Sequence, residues 1–180
     1  MWHRRRRREG RALPGQTGPV HRHYLPLLAI LAALVRPAAG QPAPGTLASP
    51  LLGACITSPF GAREDAGRHA SSQHRGIDLR APAGAWVRAV AAGRVRAIRR
   101  IGGTGLSVEL ALADGRVARF AHLGQVAPAL AGGKREVAQG DVLGRVGRSG
   151  ITYGAHLHFE LLAGGVPIDP EPLLGIARCG

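Results

Sequence analysis

Five histidines stand beyond residue 40 of this 180-residue chain: His69, His74, His122, His156 and His158. His156 and His158, in "GAHLHFELLAGG" (154–165), are separated by one residue and sit in a strand-like stretch. In a strand, residues i and i+2 point to one face, so the two imidazoles project side by side. Side-by-side imidazoles repel once protonated, so the pair gains most from a cation to bind. As an isolated H-x-H it also fits two hydrogen-bonded histidines on a solvated face. His74 and Asp78, in "HRGIDL" (74–79), are four apart with Gly76 between them. A loop bending through Gly76 into a strand can present one nitrogen and one oxygen to the same point, although Asp78 also suits a turn cap. His122, in "FAHLG" (120–124), closes a predicted strand, from which a side chain can overhang a groove. Together these residues offer two histidine ligands, one carboxylate and two further imidazoles. Zinc catalysis needs three protein ligands and one open position for water. The metal lowers the water pKa to about 7 and polarises a scissile carbonyl. A neighbouring imidazole can act as acid or base near neutral pH. The chain has no H-E-x-x-H, so the spare histidines are the natural substitutes for a glutamate base.

The elements that must position these groups read as β-structure. "AWVRAV" (85–90), "RVRAIR" (94–99), "LSVELAL" (106–112) and "RVARFAHL" (116–123) alternate apolar and polar residues. That period of two marks strands with one buried face. "ADG" (113–115) between the last two is a strong hairpin signal. "VAQGDVLGRVGRSG" (137–150) repeats the pattern of short strand and glycine turn, and helix is expected only as a turn near 127–132. With 27 glycines, 13 prolines and 45% apolar residues, the composition suits an all-β domain with a small aliphatic core.

The N-terminus reads as an address. "HYLPLLAILAALV" (23–35) is shorter than the ~20 apolar residues of a membrane span. It follows basic residues and leads into small ones, so residues 1–40 are expected to be a signal peptide cleaved after Gly40. An uncleaved anchor is the alternative. The run "RRRRR" (4–8) makes the basic part unusually long, and a true start near Val20 would give it an ordinary length. "QPAPGTLASP" (41–50) reads as a flexible linker, extending to residue 54. The net charge is +13, but residues 1–40 hold eight arginines against Glu9 alone, leaving +6 spread over the remainder. That balance fits an anionic polymer such as a cell wall, and no basic helix suggests nucleic acid. Cys55 and Cys179 lie at opposite ends of the domain, where an oxidising compartment permits a disulfide. Free thiols and, less well supported, a lipidation box at "LLGAC" are the alternatives.

Three ordered stretches, "HRGIDLRAPAGAWVRAVAAGRV", "RFAHLG" and "GAHLHFELLAGGVPIDP", resemble the lysostaphin-type zinc endopeptidases of family M23, which cut peptide bonds in bacterial peptidoglycan. "SPFGAR" (58–63) looks like the usual opening of that domain, and the resemblance covers roughly 55–174. It implies a small antiparallel β-structure with a groove over one sheet. It implies one zinc ion held by His74, Asp78 and His158, with His122 and His156 as the catalytic non-ligand histidines. The chain departs from the family at Arg119 and Phe120, where a small residue and Tyr are usual, at Ala155 for a common Pro, and in "GGTGLSVEL", which lacks a frequent Tyr-Gly-Asn run.

The expectation is therefore a periplasmic or secreted, monomeric zinc metalloendopeptidase, domain 55–180, acting on peptidoglycan stem peptides or cross-bridges. The membrane is met only through the signal peptide. The alternative is a non-catalytic wall-binding regulator of the amidase-activator type. A biotinyl-type carrier is disfavoured because Lys134 lacks the necessary context, and a closed structural zinc site would recruit His122 or His156 as a fourth ligand. His69 matches no motif. Glu160 and Asp169 could orient a ligand imidazole, though turn or strand-edge roles are the simpler expectation. Arg145 and Arg148 could meet substrate carboxylates, with a solvated face as the simpler expectation.

Overall fold

The computed structural model describes residues 46–63 and 71–180. The expected signal peptide 1–40, the alternative start near Val20 and His69 lie outside the described residues. The compact unit Ala39–Gly180 holds everything that follows.

In chain order the strands are β1 (Ile56–Ser58), β2 (Gly61–Ala62), β3 (Gln73–His74), β4 (Ile77–Arg80), β5 (Trp86–Arg88), β6 (Gly93–Ile101), β7 (Gly105–Leu112), β8 (Val117–Val126), β9 (Glu136–Val137), β10 (Val142–Val146), β11 (His156–Ala163) and β12 (Val166–Ile168). Two single-turn helices, α1 (Pro128–Ala131) and α2 (Glu171–Leu174), complete the described residues. Ten strands form one antiparallel sheet with the path β1-β4-β11-β8-β7-β6-β9, on which β10 joins β8 to β5 and β12 joins β11. β2 and β3 pair separately. The four strands expected from alternation and the helical turn appear where the pattern places them.

The alternation builds the two faces. Ile77 and Leu79, Leu157, Phe159 and Leu161, Ala118 and Phe120, and Val108 and Leu110 are fully buried on one side. Phe159 and Phe120 are cross-strand partners, with ring centroids 5.2 Å apart. Each large side chain buried there stabilises by ~1.5–3 kcal/mol. The intervening residues turn to the other face: Asp78 on β4, His156, His158 and Glu160 on β11, Arg119 on β8, Ser107 and Glu109 on β7. These line a groove of about 1090 Å³.

The expected linker differs in its described part. Leu47 and Leu51 are buried in the core, and the Leu47 and Ala48 amides donate to the Leu173 and Val90 carbonyls. Two apolar side chains within a run of small residues were enough to dock the segment. The two ends of the expected domain are joined as well: Cys55 and Cys179 form a disulfide, Cα to Cα 5.0 Å, and the Cys179 amide donates to the Ile56 carbonyl beside it.

Candidate functional site

His74 and Asp78 flank the turn from β3 into β4, and Gly76 is what permits the turn to lie where it does. A Cβ at Gly76 would stand 2.2 Å from the Phe159 carbonyl oxygen, so only glycine lets this backbone run against β11. Register then pairs Asp78 with His158 across β4 and β11. His74 Nε2 lies 3.1 Å from His158 Nδ1, His158 Nδ1 lies 2.9 Å from Asp78 Oδ1, and His74 Nε2 lies 3.2 Å from the same oxygen.

The hydrogen bonds behind these rings fix their tautomers. His74 Nδ1 donates to the Pro59 carbonyl at 2.7 Å, which can only accept, leaving a lone pair on Nε2. His158 Nε2 donates to Glu160 Oε1 at 3.1 Å, which turns Nδ1 inward. Three acceptor atoms thus face one another within hydrogen-bond distance, and a cation must lie among them. A proton on His158 Nδ1 is one answer. Burial disfavours charge on that ring, but hydrogen bonds to Asp78 and Glu160 outweigh it and raise its pKa to about 9. Burial also raises the Asp78 carboxyl, yet contacts with His158 and His74 hold it far below the usual carboxylate range. A divalent ion is the other answer. Edges of 2.9–3.2 Å come close to the ~3.3 Å face of a tetrahedron with metal bonds of about 2.0–2.1 Å. Among the described residues these three side chains form the group able to hold a metal, and two imidazoles with one carboxylate suit zinc.

His122 and His156 stand beside this cluster. The His122 ring centroid is 4.8 Å from that of His156 and 5.8 Å from that of His158. His156 Nε2 comes within 3.5 Å of Asp78 Oδ1, while its Nδ1 donates to the Gly154 carbonyl at 3.1 Å. His122 does not close its strand as expected; β8 runs on to Val126. It occupies a bulge instead, since the register with β7 slips between Leu106 and Val108, setting two β8 residues against Ser107. His122 has φ 58°, an uncommon value for a non-glycine residue. Bulges re-aim side chains, and this one turns His122 into the groove. Its Nδ1 donates to the Ser149 carbonyl at 2.8 Å, so Nε2 carries the lone pair. Burial lowers its pKa, against the hydrogen bond to Ser149.

Ser149 belongs to the loop 147–155, which is stapled to the β6–β7 turn. The Ser149 hydroxyl donates to the Leu123 carbonyl and accepts from the Leu106 amide, and the Ile151 amide donates to the Gly103 carbonyl. Gly150, at φ 79°, has room for no side chain: a Cβ would lie 2.2 Å from the Gly103 oxygen.

Two supporting groups escaped the sequence reading. Arg63 Nη2 donates to Asp78 Oδ2 at 2.7 Å, occupying the oxygen that faces away from the histidines. Arg119 reaches Glu160 Oε2 with Nη1 and Glu109 Oε1 with Nε and Nη2, the latter two at 3.2 and 3.1 Å. Glu109 and Glu160 are 6% and 3% exposed, so this arginine neutralises two buried carboxylates. The departure noted at Arg119 thus has its partners on the neighbouring strand to either side, and Glu160 does contact a cluster histidine. Asp169 accepts from the Glu171 amide in a turn at 3.0 Å. Arg145 lies over the Trp86 ring at 3.4 Å and bonds the Gly84 carbonyl, away from the groove.

An antiparallel sheet carrying a three-donor metal cluster in an open groove, with two further imidazoles beside it, defines a metallopeptidase. Comparison with known proteins gives the family: the model for "Peptidase family M23" matches residues 72–170, and this chain belongs to peptidase family M23. It is 39% identical over 121 residues to "DD-carboxypeptidase/endopeptidase Mpg" of Neisseria meningitidis serogroup B, a match covering 67% of this chain and 27% of that protein. The chain thus spans about a quarter of the length of the curated relatives it matches. Among solved structures it is similar to a zinc-containing peptidase from Vibrio cholerae, with TM-score 0.58 and 26% identity over 69% of this chain and 38% of that one. It is also similar to a mutant catalytic domain of the prophage-encoded M23 protein EnpA from Enterococcus faecalis, with TM-score 0.56 and 28% identity over 67% and 91%.

Proposed function

We propose that this protein is a zinc endopeptidase that hydrolyses amide bonds in peptidoglycan stem peptides or cross-bridges. The observation that carries the reading is the convergence of His74 Nε2, Asp78 Oδ1 and His158 Nδ1 on one point in an open groove of about 1090 Å³. His74, Asp78 and His158 would hold the ion, which when bound acidifies water and polarises a carbonyl. His122, kept neutral by burial, takes a proton at Nε2 from the attacking water and returns it to the amine nitrogen that leaves as the C–N bond breaks. The Ser149 carbonyl holds the imidazolium that forms. His156, fixed through Nδ1 on the Gly154 carbonyl, points Nε2 toward the site and in its imidazolium form, the proton taken up from solvent before the reaction, donates to the oxygen on which charge develops. The Arg63 guanidinium holds Asp78 Oδ2 and so orients the carboxylate.

The relative Mpg is named as a carboxypeptidase and endopeptidase, and the disulfide suits an oxidising compartment. Both support an extracytoplasmic setting, periplasmic or secreted, reached by cleavage of a signal peptide at 1–40 from a monomeric domain near 55–180. Among the described residues no helix is long and apolar enough to cross a membrane.

Digestion of purified peptidoglycan by the zinc-loaded protein, with fragments identified by mass, tests this. New amino and carboxyl ends are expected, absent after chelation and absent with His122→Ala. A folded, zinc-loaded protein that produces none would overturn the enzyme reading in favour of a wall-binding regulator.

A further inference from the structure

The strand β6 carries four arginines, and they do not share one fate. Arg94 pairs with Glu136 at 2.7 Å on the exposed surface. Arg100 sits opposite Leu106, on the face turned away from the groove. Arg96 and Arg99 line the groove. Arg96 faces it by plain alternation from Val95, but Arg99 does so because of an irregularity: Val95 pairs with Leu110 and Ala97 with Glu109, so Arg96 is the extra residue of a β-bulge and the alternation restarts beyond it. Without it the alternation that buries Val95 would bury Ala97 as well. The bulge switches the strand's face and adds a guanidinium to the groove wall.

Neither arginine is satisfied where it stands. Arg96 is exposed and has no hydrogen bond or ion pair with another described residue. The Nε of Arg99 comes only within 3.7 Å of Glu109 Oε1, an oxygen that already accepts two bonds from Arg119. Among the described residues Arg96 has no anionic partner and Arg99 only a shared one, so both guanidiniums keep donors for an anion from outside.

The pairing places them relative to the chemistry. Cross-strand partners run from Asp78 through His158 and Ala121 to the bulge at His122, then to Ser107 and Arg99. Strands are about 4.8 Å apart, so β6 lies about 10 Å from the strand of His122. An extended peptide covers about 3.3 Å per residue, so three residues span that gap.

Resting on the peptidase reading above, we infer that Arg96 and Arg99 form a carboxylate subsite. It binds a free carboxylate of the peptide substrate within about three residues of the scissile bond, on the β6 side. Charge-assisted, fork-shaped guanidinium contacts favour a carboxylate over the neutral amide of the same shape. Amidation of that group would therefore be read as a loss of substrate.

The test compares soluble muropeptides, released by a muramidase, in native form and with their carboxyl groups converted to primary amides. Two quantities are read on the full chain: kcat/KM of the zinc-loaded protein, and Kd of the zinc-loaded His122→Ala protein. Native muropeptide should be preferred about fivefold to tenfold in both. Arg96→Gln with Arg99→Gln should bring the ratio close to one, and Arg96→Lys with Arg99→Lys should restore part of it. Arg100→Gln, on the opposite face, should keep the wild-type ratio and exclude a general charge effect. A wild-type ratio of one, or a double glutamine variant that keeps the preference, overturns the subsite. Hydrolysis of neither substrate while the binding preference persists overturns the peptidase reading and leaves the subsite standing.

Discussion

The carbonyl oxygen of Ser149 lies 2.8 Å from Nδ1 of His122, although the two residues belong to different elements. That contact determines which nitrogen of His122 carries a proton, and it faces the ring's free lone pair into the groove. It follows that His122→Ala should bind zinc as the parent does and lose about 10²–10⁴-fold in kcat, the range for a positioned acid–base group. Metal analysis beside kinetics checks both halves. Zinc loss in His122→Ala would mean that this imidazole is a ligand instead.

The pH dependence of activity should reflect the same ring. A base must be unprotonated, and burial lowers the His122 pKa from its ordinary 6.5. As pH falls, kcat/KM should therefore hold to below pH 6.5 before its acid limb begins. Ring-nitrogen NMR of His122 across the same range would locate the midpoint, and one above 6.5 would contradict the assignment.

Metal binding should release a proton at neutral pH. In the metal-free protein His158 is an imidazolium between Asp78 and Glu160, raised to about 9. A raised pKa contributes stability that is complete below about 6.5 and lost as pH rises through about 9. Chelated protein should thus melt progressively lower from pH 6.5 to 9, while the zinc-loaded protein should not follow. Calorimetric zinc titration in buffers of different ionisation enthalpy would count the proton, and a count of zero would refute the charge state.

Arg119→Ala should weaken zinc affinity and stability together. Glu109 and Glu160 would lose the arginine they share, Glu109 keeping only Arg99 at 3.7 Å and Glu160 only His158, at a cost below the ~3–5 kcal/mol of a fully unpaired buried charge. The His158 ring would lose a fixed partner, a change that typically weakens metal binding 10–100-fold. Arg119→Ala combined with Glu109→Gln should recover part of the stability, because one of the orphaned charges is removed. Chemical denaturation and competition with a chelator measure the two effects separately.

Reduction should lower the melting temperature by roughly 10 °C or more. The Cys55–Cys179 link closes a separation of 124 residues. Such a closure stabilises by ~4–5 kcal/mol in the chain-entropy account. Thermal melts of the parent and of Cys55→Ser with Cys179→Ser, with and without reductant, would show it; equal melts would discount the bridge as a stabiliser.

Much of this site could be read from residue spacing, because the relevant rule is local. His156 and His158 share a face since a strand alternates, and Leu157 between them is buried for the same reason. Gly76 marked a tight passage between His74 and Asp78, and the Phe159 backbone is what it passes. What could not be read depends on partners far along the chain. Arg63 meets Asp78 and Arg119 meets Glu109 and Glu160 only because strands pair in this order. The bulges at Arg96 and His122 leave an alternating sequence unchanged, because each is a mismatch in count between two strands. The expected strand end at His122 reflects that blindness: the histidine does overhang the groove, but from a kink within β8.

The cluster joins residues 74 and 78 to residue 158, a separation of 80 or more along the chain. No fragment that stops short of β11 can form it, whatever its local structure. The histidines beside it, at 122 and 156, impose the same requirement. A chain emerging from synthesis therefore lacks the cluster until its last quarter has arrived and β11 has inserted between β4 and β8. Metal capture then marks completion of the sheet, and its free energy adds to folding at that late step. The topology thus carries a timing device of its own: long-range pairing, slow by nature, keeps the metal cluster unassembled until the sheet is nearly complete.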